Sequence, residues 1–136
     1  MAEMVIDEVN QIVRATHLDS AMLTVDDVKR FNADLARLVS IAAARFGRVR
    51  VLADTHRLPI LPPDVSQLFD PPDRVMRAAG DRYALVVASN LAKLAARRVL
   101  GSDDRVGLFL SSEAAELWLL DDAISPEAAE AAARKA

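Results

Sequence analysis

Apolar positions along this chain change period several times, and each change marks an element. Residues 4–9 and 12–17 carry short apolar runs with partial alternation, separated by the polar stretch Glu8-Val9-Asn10-Gln11, which predicts two strands joined by a turn. Val28, Phe31, Leu35, Leu38, Val39, Ala42 and Phe46 then recur at spacings of three and four, with Lys29, Asp34, Arg37 and Arg45 mostly off that stripe. Such a period predicts a long amphipathic helix lying on one face of a sheet. Its start is marked by Thr24, with an acid three residues later at Asp27, a variant of the capping box. Asp26 and Asp27 also suit the positive end of the helix dipole, and Gly47 stands where a left-handed cap residue is wanted.

Residues 48–54 return to a strand pattern and end in Asp54. The next stretch, Thr55-His56-Arg57-Leu58-Pro59-Ile60-Leu61-Pro62-Pro63, holds three prolines and cannot continue the strand. A short helix is predicted from about Pro63, taking in Val65, Leu68 and Phe69. It is broken by Asp70-Pro71-Pro72-Asp73, and a second short piece covers residues 74–79. Residues 81–120 then read as strand, helix, strand, helix: strand 83–88, Ser89 capping helix 90–100, Gly101, strand 106–110, and Ser111 or Ser112 capping helix 113–120. Ser125-Pro126-Glu127 opens an alanine-rich terminal helix with proline at its preferred first position. Strands alternating with helices imply an α/β fold built on a largely parallel sheet. The expected division is a main domain over residues 1–122 and a terminal helix over 123–136, packed on that domain or on a partner.

Composition narrows the class. The chain has 136 residues, 52% apolar and 27% charged, the balance of a folded globular domain. Its net charge of −3 offers no global attraction for phosphate backbones, so a nucleic-acid partner is not expected. There are no cysteines, which removes disulfides, thiolate catalysis and cysteine zinc sites. Two histidines and no acid cluster at ligand spacing leave no expected metal site, and four glycines without a phosphate-loop pattern give no expected cofactor. The start MAEMVIDEVNQ lacks the pattern of a signal peptide, and no apolar run approaches the length of a membrane span, so the expected location is cytoplasmic.

The order strand, strand, long helix, then three strands each followed by helix resembles that of STAS domains, and is most similar to the bacterial SpoIIAA-like branch, itself related in fold to CRAL-TRIO lipid-transfer domains. The residues that carry the resemblance are Leu23-Thr24-Val25-Asp26-Asp27-Val28, the run from Phe46 through Gly47 to Asp54, Asp81-Arg82-Tyr83-Ala84-Leu85-Val86-Val87, and Ala114-Ala115-Glu116-Leu117-Trp118-Leu119. The resemblance implies a sheet of about five strands, mixed but mostly parallel, with an N-terminal hairpin and right-handed βαβ crossovers. It also implies a regulatory or binding role in bacteria rather than catalysis. Partner-switching members carry an Asp-Ser-x-Gly turn whose serine is phosphorylated. The corresponding stretch here, Ile60 to Ser66, has no glycine and no serine at the helix start, so no phosphorylation site is expected.

In open α/β sheets ligands sit beyond the carboxyl ends of the strands. Asp54, Thr55, His56, Ser89, Asn90, Ser111 and Ser112 are expected there. The set suggests hydrolytic chemistry, but Val87-Ala88-Ser89-Asn90-Leu91 lacks the glycines of a nucleophile elbow and capping accounts for Ser89. The apolar, proline-stiffened loop with Leu58, Ile60 and Leu61 either closes the end of the core or forms the lip of an apolar pocket or contact patch. The expected ligand residues are thus Asp54, His56, Leu58, Ile60, Leu61, Ser89 and Asn90. Lys93, Arg97 and Arg98 are expected to form a basic outer face, opposite an apolar side made of Leu91, Leu94, Ala95 and Val99. That face is either ordinary solvated helix surface or an attraction for anionic lipid head groups. The expected function is binding of an apolar, lipid-like ligand or a membrane surface near residues 55–63. The alternatives are a protein–protein module, a homodimer or partner-switching component using the terminal helix with Glu127, Glu130 and Arg134 on its polar side, and an enzyme using Asp54 and His56.

Overall fold

The computed structural model describes residues 2–17, 24–58 and 61–135. Five strands form one mixed sheet in the order of the sequence: β1 (Ala2–Asp7), β2 (Ile12–His17), β3 (Arg50–Asp54), β4 (Arg82–Val86) and β5 (Val106–Phe109). β1 and β2 pair antiparallel across a turn at residues 8–11, and β2 to β5 run parallel. The first strand starts earlier than its apolar pattern predicts and releases Val9, 92% exposed, into the turn. Six helices complete the chain: α1 (Val25–Phe46), α2 (Pro63–Ser66), α3 (Pro72–Val75), α4 (Asn90–Leu100), α5 (Ser112–Leu120) and α6 (Pro126–Lys135).

Local chemistry sets most of these boundaries. The Thr24 hydroxyl accepts from the Asp27 amide at 3.1 Å and the Asp27 carboxylate accepts from the Thr24 amide at 3.0 Å, a reciprocal capping box. Gly47 closes α1 at φ 74°, a conformation that would strain a residue with a Cβ. Ser89, Ser111 and Ser125 each accept an amide of the following first turn, so Ser111 rather than Ser112 caps α5. The second short helix begins at Pro72 and ends at Val75, earlier than the predicted 74–79, because proline suits the first helical turn and residues 76–77 leave the helix to reach β4.

The parallel strands carry their helices on opposite faces. Val13, Ala15, Val51, Ala53 and Tyr83 face α1, which contributes Phe31, Leu35, Leu38, Val39 and Ala42 to a first core cluster. Ile12, Leu52, Ala84, Val86 and Phe109 face the other way, where α5 packs Ala114, Ala115, Trp118 and Leu119 and α6 adds Ala129. Two arginines on that second face cap α5. Arg50, 3% exposed, donates to the Leu119 carbonyl at 3.2 Å and to the Asp122 carboxylate at 2.8 Å. Arg82 donates to the Trp118 carbonyl at 2.6 Å, and its guanidinium lies 4.6 Å from the Trp118 ring centroid.

Close packing on this face leaves no room for a methyl group at Gly107. A Cβ there would stand 2.6 Å from Phe109 Cε2 and 3.1 Å from Trp118 Cζ3, and both rings are buried. Gly107→Ala is therefore expected to destabilise the protein by about 1–3 kcal/mol, read as a lower urea midpoint at unchanged slope.

Two expectations about helix faces need correction. Leu91, Leu94 and Val99 do not form the buried side of α4: they are 68%, 56% and 59% exposed, and the helix has no buried residue. The helix turns Ala92, Ala95 and Ala96 toward the sheet instead, and Lys93 leaves the basic face to pair with Glu130 at 3.3 Å. Glu130 likewise is not on a solvated side of α6. It is 7% exposed and accepts from the Leu110 amide at 2.8 Å, which holds α6 against the end of β5.

Candidate functional site

α4 stands off from β3, β4 and β5, and the alanines it presents to them are too short to fill the gap, which leaves a cavity of about 730 Å³. The floor is made by Ala53, Tyr83, Leu85, Val87 and Val106, all on the sheet face that also receives α1. The roof is Ala92, Ala95, Ala96, Val99 and Leu100 of α4. One side is closed by an aromatic trio. The His17 ring stacks on Phe31 with centroids 5.0 Å apart, and Phe69 meets Phe31 edge-on at 5.4 Å. Phe69 is fixed there because Asn32 of α1 donates to the Leu68 carbonyl at 2.9 Å and accepts from the Asp70 amide at 3.1 Å. The rim carries Leu58 and Leu61, both half-buried.

The polar side chains that line this space are His17, Thr55, Ser66, Gln67, Tyr83 and Ser102, with the carboxylates of Asp70, Asp73 and Asp103. Tyr83 is 7% exposed, its hydroxyl has no hydrogen-bond partner among the described residues, and burial pushes its phenol up to about 12. His17 is 2% exposed with Nδ1 unpartnered; burial holds the imidazole below the usual histidine range, although Asp54 acts the other way. Asp70 and Asp103 also line the cavity, each paired to an arginine, Arg74 at 3.5 Å and Arg105 at 3.1 Å. The space is therefore mainly apolar, with a neutral hydroxyl, a neutral imidazole and the acidic groups of Asp70, Asp73 and Asp103 in its wall.

A second, polar cleft lies beyond the carboxyl ends of β3 to β5, lined by Asp54, His56, Ala88, Ser111 and Ser112 among others. Thr55 shapes this edge by donating both its amide, at 2.9 Å, and its hydroxyl, at 2.8 Å, to the Val86 carbonyl. Asp54, 8% exposed, organises the cleft. Its Oδ1 accepts from the His56 amide at 3.1 Å and lies 2.5 Å from His56 Nδ1, while its Oδ2 accepts from the Ser112 hydroxyl at 3.2 Å. The carboxylate thus fixes the His56 ring and also accepts the hydrogen bond of the Ser112 hydroxyl. With Ser112 bonded to the carboxylate rather than to imidazole, the three groups do not form a nucleophile–base pair. The arrangement caps the ends of two strands and orients one histidine.

The sequence-derived residues divide accordingly. Asp54 and His56 meet in the polar cleft, together with Ser112; Leu58 and Leu61 reach the apolar cavity; Ile60 lies outside the described residues. Ser89 and Asn90 are exposed and line neither space, Ser89 being occupied as the α4 cap. Sequence reasoning missed His17, Tyr83, Phe69 and the α4 alanines, and it read Phe31 as core alone. The available signal was small: an all-alanine side on an otherwise leucine- and arginine-bearing helix. Among the described residues no three His, Asp or Glu side chains are grouped as a metal ion would require, and no helix is long and apolar enough to cross a membrane. Comparison of the chain with protein-family models, curated proteins and solved structures gives no match.

Proposed function

We propose that this chain is a non-catalytic, STAS-like binding module that holds an apolar ligand in the cavity beneath α4. The observation that carries the reading is the chamber of about 730 Å³, walled mainly by apolar side chains and rimmed by Leu58 and Leu61. Its size falls within the range of small-molecule sites, roughly 300–1,000 Å³, where a few polar groups in an apolar wall fix orientation. The element order, a hairpin, one long helix and three further strands each followed by helix, supports the STAS-like part of the reading. A charged ligand group would meet no unpaired cationic side chain in this wall, so the fitting ligand is an apolar body with a neutral hydroxyl or carbonyl facing Tyr83 or His17.

Mass spectrometry of the purified chain under native conditions tests this. The expected result is an adduct of an apolar small molecule, lost on extraction with organic solvent and regained from a panel of long-chain alcohols, ketones and sterols. Tyr83→Phe should lower the occupancy by about tenfold, the effect of one buried hydrogen bond at the upper end of its range. A bare mass before extraction, together with no uptake from the panel, would sink the reading.

A further inference from the structure

Leu91, Leu94 and Val99 are more than half exposed on a helix that buries nothing, an unusual state for three large aliphatic side chains on one short element. Leu91, Leu94 and Arg98 stand at spacings of three and four, so the arginine lies on the same stripe as the two leucines, and Arg97 flanks it. Both arginines are exposed, and neither has an ion-pair partner among the described residues. The third cation of the helix, Lys93, is turned away to Glu130, which leaves the apolar and basic groups on one surface. Beyond the helix Asp103 is held by Arg105 at 3.1 Å, and the exposed Asp104 bounds the patch.

We infer that this face of α4 docks on an anionic lipid surface. Charge complementarity decides the occupant. A helix lying in a bilayer interface puts aliphatic side chains among acyl chains while arginines beside them reach back to anionic head groups. Leucines interleaved with unpaired arginines provide both halves of that contact within about three turns of helix. Each basic residue near such a surface contributes attraction, whereas a net charge of −3 keeps the rest of the protein from associating by charge alone. Val99, 59% exposed, lines the cavity on the stripe of Ala92 and Ala95, so the docked surface adjoins the chamber at the edge of the helix. The docking stands on exposure and charge and holds whether or not the chamber is filled.

The test is co-sedimentation of the full chain with phosphatidylcholine vesicles, with and without phosphatidylglycerol. Binding is expected only with phosphatidylglycerol, weakening as salt rises from about 0.15 M to about 1 M. Arg97→Glu/Arg98→Glu and Leu91→Ser/Leu94→Ser should each lower the bound fraction by about tenfold or more while circular dichroism stays unchanged. Failure of the wild type to sediment with anionic vesicles overturns the inference, as does sedimentation that both variants retain. A dimer in solution that Leu91→Ser/Leu94→Ser returns to monomer, without sedimentation, overturns it in favour of a second copy. Ligand occupancy measured on the same variants stays at the wild-type level, so a failed docking surface and an empty cavity give different results.

Discussion

Asp81→Ala is expected to destabilise the protein by about 3–5 kcal/mol, among the largest effects of any polar substitution in the chain. Asp81 is 2% exposed and its carboxylate accepts three backbone amides: Val49 at 2.9 Å on Oδ1, and Arg77 at 2.8 Å and Ala78 at 2.9 Å on Oδ2. These bonds tie the segment after α3 to the residue that leads into β3, just where β4 begins beside it. Removing the side chain leaves three N–H groups in the interior without acceptors, each a penalty of about 1–3 kcal/mol before relaxation. Asp81→Asn keeps one oxygen and should lose about half as much. Burial pushes the carboxyl up, and the three amide bonds outweigh it, leaving Asp81 below the usual carboxylate range. The folded state therefore binds a proton less readily than the unfolded one. Its contribution is complete above the unfolded value of about 3.9 and disappears as pH falls through the lower folded value. Urea titrations of wild type and Asp81→Asn should differ at pH 7, begin to converge as pH falls below about 4 and meet only below the lower folded value; a gap unchanged through that whole range would mean the carboxylate charge is not what the site uses.

Asp81 also shows which parts of the structure were legible in advance. Caps were readable because they are local: Thr24 with Asp27, Gly47, Ser89 and Ser125 each act within three or four residues. The strand and helix periods were readable for the same reason, since a face is defined by spacing along one element. The bonds from Val49 to Asp81 and from Arg50 to Leu119 were not, because they span 32 and 69 residues and only the assembled sheet brings the partners near. The two faces of α4 were misread through a sound rule applied to an uncommon case. Leucines normally mark the buried side of a sheet-covering helix. Here the alanines do, and the helix contributes no buried side chain at all. Of the apolar loop at residues 55–63, Leu58 and Leu61 line the cavity, a position that depends on that displacement of α4. The chamber itself has no sequence signature, because a void is defined by what fails to fill it.

That dependence makes Ala96→Trp the sharpest test of the chamber, and it carries a sign as well as a size. Ala96 lies on the sheet-facing side of α4, half-buried, and lines the cavity with Ala92 and Ala95. An indole placed there enters open space between α4 and the floor formed by Tyr83 and Leu85. If the chamber exists in solution, the ring gains apolar contacts without displacing any, and stability should rise by about 0.5–2 kcal/mol, as for other cavity-filling changes. The same ring occupies the volume proposed for a ligand, so the native-mass adduct expected on that proposal should fall by at least about tenfold, because a bound molecule cannot share space with a packed side chain in an interior of close-packed density. If α4 instead rests directly on the sheet in solution, the indole overpacks that contact and destabilises by about 1–3 kcal/mol. Thermal unfolding and native mass spectrometry on one sample therefore separate the two cases, with Ala44→Trp on the exposed outer side of α1 as the control that changes neither. Higher stability with lost ligand is the outcome that the geometry of α4 requires. Lower stability with ligand unchanged would place the ligand elsewhere and return the cavity to the core.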